Sequence, residues 1–177
     1  MSAIVVNRAP VLTLWATVVA ERLGHPADTA LTLGRAVAGA AARVKARNIG
    51  REERPIDRDA ETVRLRPDPV TAPAVLLGKE IRLLPNADGE LRAADGEQPA
   101  DPAAVMRYIT KAFGARLEEV RGAMRQLAGR YDPAELNRIG FRLYETFRPD
   151  VPPGAEGWAA KAVLEVDKIL TATASGR

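Results

Sequence analysis

The stretch VLTLWATVVAERLGHPADTALTL, residues 11–33, decides the fold. Leu12, Trp15, Val19 and Leu23 recur at spacings of three and four, which draws one apolar stripe along a helix. Gly24 ends that helix, because a residue without a Cβ enters the left-handed backbone region at no steric cost. Pro26 fits the first turn of a second helix, where its missing N–H costs nothing, and Asp28 there favours the positive end of the helix dipole. The second helix carries Ala30, Leu33, Val37, Ala41 and Val44 along one face and ends at Gly50. Its small residues, among them Gly34, Ala36, Ala38 and Gly39, permit close approach of another helix or of a partner backbone.

Working outward, residues 1–50 read as an N-terminal helical unit and residues 51–73 as a charged connector containing Pro55, Pro67, Pro69 and Pro73. Residues 74–177 read as a β-hairpin followed by helices, in a unit that can share one core with 1–50. Val75–Leu84 has the composition of a strand, Pro85–Gly89 is a turn cluster, and Glu90–Ala93 returns as the second strand. Asp101-Pro102 predicts an N-cap and a helix to about Phe113. A further helix runs from Arg116 to Arg130, and Asp132 with Glu135 predicts a capping box opening another. Trp158–Leu170 is expected to be a final amphipathic helix. The predicted fold class is mainly α with one small antiparallel hairpin, beginning with a helix-turn-helix-like pair.

Composition narrows the chemistry. The 177 residues contain no cysteine and one histidine, His25, so thiol chemistry and a Cys- or His-rich metal site are excluded. No P-loop, Gly-rich dinucleotide turn or nucleophile elbow occurs. The adjacent pairs Glu52/Glu53 and Glu118/Glu119 point about 100° apart on a helix and do not form catalytic dyads. His25 sits in a turn, where capping or exposure is the ordinary role. No enzymatic activity and no cofactor are expected. The apolar run Val11–Ala20 is too short for a bilayer, which needs about 20 residues. It runs into Glu21-Arg22 rather than a cleavage site, so the protein is expected to be soluble and cytoplasmic, with no membrane partner.

The formal charge is +3, and only five of the 26 basic residues are lysine. Arginine and alanine enrichment together often reflect a GC-rich genome rather than a function, so basicity alone says little about partners. Between Arg35 and Arg51, however, Arg35, Arg43, Lys45, Arg47 and Arg51 occur without an intervening acid. Such a row can follow phosphates, supplying affinity without sequence choice. It also suits a helix C-terminus electrostatically, and Glu52, Glu53 and Asp57 follow at once. Ala20, Gly24, Ala30 and Leu33 have helix-turn-helix spacing, yet Pro26-Ala27-Asp28-Thr29 offers no Arg, Asn or Gln to a base edge. An ordinary helix hairpin accounts for the same residues. A hairpin carrying Asp88 and Glu90 at its tip would be repelled by phosphate if used as a wing. Later basic residues, including Lys111, Arg116, Arg121 and Arg138, alternate with glutamates as on solvated helix faces.

The segments Pro10–Ala16, Val19–Gly24 and Ala30–Gly34, with Phe141–Tyr144, Phe147–Pro149 and Gly157-Trp158, resemble a family of conserved bacterial proteins of unassigned function. The resemblance spans most of the chain and implies no activity and no catalytic residues. The expected function is nucleic-acid binding, read first as DNA-binding or regulatory with RNA left open as a partner, the phosphates held by Arg35, Arg43, Lys45, Arg47 and Arg51 of a basic helix. The alternative is a homodimeric interaction module contacting its copy through the Ala/Gly-rich helix 28–49.

Overall fold

The two helices expected around Gly24 form. In the computed structural model, which describes residues 3–50, 73–149 and 162–173, α1 spans Arg8–Arg22 and α2 spans Ala27–Gly50. Gly24 has φ +104, its N–H donates to Glu21 O and the His25 N–H donates to Ala20 O. This is the Schellman arrangement, which satisfies carbonyls that the helix end leaves open.

The predicted single stripe on α1 understates its burial. Every residue from Pro10 to Ala20 is buried, because α1 is surrounded by α2, by strand β2 (Ala74–Leu76) and by three later helices. These are α3 (Pro102–Phe113), α4 (Leu117–Ala128) and α5 (Pro133–Phe147). Thr13 and Thr17 survive there because each hydroxyl donates to the carbonyl four residues back, Ala9 and Thr13, at 2.8 Å. Residues from both predicted units join one apolar cluster, with Trp15 and Leu33 packed alongside Ile109, Met124, Leu143 and Ile169. The connector's residues 51–72 lie outside the described residues.

Mainly α architecture with small antiparallel sheets is what the chain adopts, but the β part is richer than one hairpin. Val75–Leu84 is not a single strand. It splits into β2, β3 (Lys79–Ile81) and the start of β4 (Leu83–Pro85), with a reversal at Leu77-Gly78. Both turn residues have positive φ, +52 and +82, the backbone a tight I′ turn demands. Leucine at such a site carries no sequence signal. It is held there by burial and by Asn137 on α5, whose side chain accepts from Leu77 N–H and donates to Val75 O.

Strand β4 pairs with β5 (Leu91–Asp95), which continues through a turn at Gly96 into β6 (Gln98–Pro99), inside the predicted loop 95–100. Two threonines on α2 fasten this sheet. Thr29 donates to Leu91 O at 2.6 Å, and Thr32 accepts from the Ala93 N–H at 2.9 Å.

At the C-terminal end the expected helix over 158–170 is corrected. Residues 158–161 lie outside the described residues, Val163–Glu165 forms strand β7, and only Val166–Leu170 is helical (α6). Strand β7 pairs antiparallel with β1 (Ala3–Val5), Ile4 opposite Leu164, a partner supplied by the far end of the chain. At the start of α3, Asp101 caps as expected, accepting from Ala103 N–H at 3.0 Å. At the start of α5 the capping box does not form. Asp132 makes no side-chain cap bond, and Glu135 turns to Arg138 at 3.8 Å instead. Among the described residues no helix is long and apolar enough to cross a membrane.

Candidate nucleic-acid interface

The small-residue side of α2 has a use within the chain. A Cβ on Gly34 would stand 2.5 Å from the Thr13 carbonyl oxygen and closer still to Thr17 Oγ1, so the glycine is what lets α1 and α2 touch. Ala30 and Ala38 are buried, as are Leu33 and Val37. Thr29 to Gly34 of α2 are buried against α1 and β5, and the exposed residues before them, Pro26, Ala27 and Asp28, offer no side chain that reads a base edge as a DNA-reading helix would.

Arg35 is the first α2 residue after this stretch to face solvent. Its guanidinium carbon lies 4.5 Å from the centroid of the Tyr108 ring on α3, a cation–π contact. Among the described residues Arg35 forms no ion pair. Tyr108 is half-buried. Burial raises the pKa of its hydroxyl and the Arg35 charge pulls the other way, so the ring stays neutral beside the cation.

The pair stands at one side of an open groove of about 510 Å³. Thr32, Ala36 and Gly39 of α2 form one wall, and Ala104 and Val105 of α3 another. The β5–β6 turn contributes Asp95 and Gly96, and Asp101 stands at the entry to α3. The groove therefore combines an aromatic face, one cation and two carboxylates over a floor of small apolar side chains.

Of the five predicted phosphate contacts, Arg35 alone has a described side chain. Arg43, Lys45 and Arg47 fall within α2, but their side chains lie outside the described residues, as does Arg51 altogether. The contribution of Tyr108 went unread in the sequence. Its signal was available: Val105, Ile109 and Phe113 make the buried stripe of α3, and Tyr108 is an aromatic on its flank.

A second cavity, of about 460 Å³, lies between the α1–α2 turn and β5. It contains His25 and the buried Arg92, neither of which the sequence marked as a pair. Arg92 donates to Glu90 at 2.9 Å and to Thr29 Oγ1 at 3.2 Å, with Asp28 at 3.8 Å, while its Nε has no partner. Two carboxylates cancel this cation, and desolvation lowers the pKa of His25. Among the described residues no cluster of three or more histidines and carboxylates could hold a metal ion.

Many other arginines are committed to the fold. Arg22 donates to Ala128 O and Tyr131 O, Arg8 to Pro149 O, and Arg130 to Leu170 O, each near the end of a helix. Arg116, Arg121 and Arg138 pair with Glu119, Glu118 and Glu135 at i,i+3 on exposed helix surface. No family model, curated protein or solved structure matches the chain.

Proposed function

We propose that the protein binds single-stranded nucleic acid along α2, with Arg35, stacked on Tyr108, opening a row of phosphate-binding cations and turning the outer plane of its guanidinium to a base. The observation that carries this reading is the Arg35 guanidinium held 4.5 Å over the Tyr108 ring beside an open groove. An arginine already lying on an aromatic face loses less freedom when it meets a phosphate. Arg43, Lys45 and Arg47 follow on the same helix, so Arg35 to Arg47 covers about 18 Å of axis at 1.5 Å per residue. A single strand is favoured over a duplex because stacking needs an unpaired base, and because the first turns of α2 are covered by β5.

The test is binding of labelled single- and double-stranded DNA and RNA, followed by anisotropy as salt rises. Single-strand affinity is expected to fall steeply with salt. Arg35→Ala should lower the logarithmic salt slope by about one, and Arg43→Ala with Arg47→Ala by about two. Binding that ignores salt, or is absent for all four ligands, overturns the reading.

A further inference from the structure

Resting on that reading, we infer that the groove beside Arg35 takes an unpaired base bearing an exocyclic amine, cytosine being the simplest case, while the phosphates stay outside at Arg35.

The groove is lined by two aspartates, Asp95 and Asp101, both exposed and without an ion-pair partner among the described residues. A phosphate entering the groove would meet both and be repelled. An ionised carboxylate only accepts hydrogen bonds, so the edge that faces it must donate. The N4 amine of cytosine is such a donor, and thymine presents a carbonyl oxygen at the corresponding position. The remaining surface suits a flat ring. Arg35, stacked on Tyr108, offers the outer plane of its guanidinium, while Ala36, Ala93 and Val105 supply apolar contact. At about 510 Å³ the groove lies within the usual range for small-ligand sites, roughly 300–1,000 Å³.

Backbone geometry fixes where both aspartates stand. Asp101 accepts from Ala103 N–H as the cap of α3, which fixes one oxygen and leaves the other for a ligand. Asp95 pairs with Gln98 across a two-residue turn, Gly96-Glu97, in which Gly96 has φ +67. That tight turn anchors the end of β5, and with it the side of the groove where Asp95 stands.

The experiment compares oligo(dC), oligo(dT) and free cytidine monophosphate on the full chain, with Asp95→Asn and the double variant Asp95→Asn/Asp101→Asn. Asparagine caps helices as well as aspartate, so α3 should keep its start. The wild type is expected to prefer oligo(dC) by about tenfold, the worth of one hydrogen bond to a charged acceptor. Asp95→Asn should narrow the preference and the double variant abolish it, with the salt slope unchanged. Equal, salt-dependent binding of both oligonucleotides overturns the base inference and leaves the strand reading standing. If neither oligonucleotide binds, the strand reading falls. Binding of cytidine monophosphate that the double variant loses would then sustain the groove's preference by itself, and its absence would overturn that too.

Discussion

The indole N–H of Trp15 donates a 2.9 Å hydrogen bond to the carbonyl of Gly140, joining α1 to α5 across 125 residues of sequence. A Cβ at position 140 would overlap Leu77 Cδ2, the far end of a side chain, while standing at ordinary contact distance, 3.8 Å, from Trp15 Nε1, so the glycine serves the fit of Leu77. Leu77 is the residue held at positive φ in the β2–β3 turn, so helix, hairpin and central tryptophan are fitted together at one point. Gly140→Ala should destabilise by about 1 kcal/mol, because Leu77 must shift its Cδ2 methyl and the better helix propensity of alanine offsets part of that cost. Trp15→Phe should cost about 1–3 kcal/mol through the lost hydrogen bond and the void beside Phe147, whose ring meets the indole edge-on at 5.4 Å. Denaturant midpoints of the two variants check both. Unchanged midpoints would mean that this junction is not tightly packed.

Gly34→Ala offers a test with an inverted sign. In an exposed helix the change stabilises by about 1 kcal/mol, because alanine is the better helix former. At position 34 the new methyl would press on the Thr13 carbonyl, a backbone atom that cannot swing aside. The expected outcome is a loss of about 1–3 kcal/mol. A rise in melting temperature would show that α1 and α2 are not in contact at this point.

Thr32→Val keeps the shape of a buried side chain and removes its hydroxyl. The Ala93 N–H, which donates to Thr32 Oγ1 at 2.9 Å, would be left buried without a partner. A cost of about 1–3 kcal/mol is expected. Amide exchange at Ala93 should accelerate more than exchange in the core of α4, because β5 loses one of its two threonine ties to α2. Equal protection in the variant and the wild type would argue that the sheet is held some other way.

Burial makes stability depend on pH through His25 on the acid side and through Tyr144, with Tyr108, on the alkaline side. Desolvation lowers the His25 pKa below its ordinary value of 6.5, so the unfolded chain takes up this proton more readily. Its stabilising contribution is present above pH 6.5 and is lost as pH falls below that value. Burial pushes the Tyr144 phenol from 10.0 up to about 12, against the opposing pull of Arg8 and Arg148. That contribution is present below pH 10 and is lost as pH rises from 10 to about 12, a change on the order of 2–3 kcal/mol. Because His25 is the only histidine, its ring proton resonance follows the acid limb directly. Tyr144→Phe should flatten the alkaline limb. An unaltered alkaline transition in that variant would assign it to other groups.

The α1–α2 pair was legible because its signals are local: apolar residues three and four apart, a glycine at the helix end and a proline in the next first turn. The cap at Asp101 could be read for the same reason. Arg35 was marked by its place in an acid-free basic run, and the sequence had no means of naming Tyr108 as its partner. Neither could it show that Asp95 and Asp101 share a groove with both. The β1–β7 pairing, the leucine in a positive-φ turn and the burial of α1 on every side depend on chain segments tens to more than a hundred residues away. Hydrophobic period and turn chemistry act over a few residues and therefore settled the N-terminal helix pair and the start of α3, but not the C-terminal segment, where β7 stands in the expected helix. Which faces are covered, which carbonyls receive the arginines and which cation stays open are outcomes of packing between distant segments, and only the tertiary structure decided them.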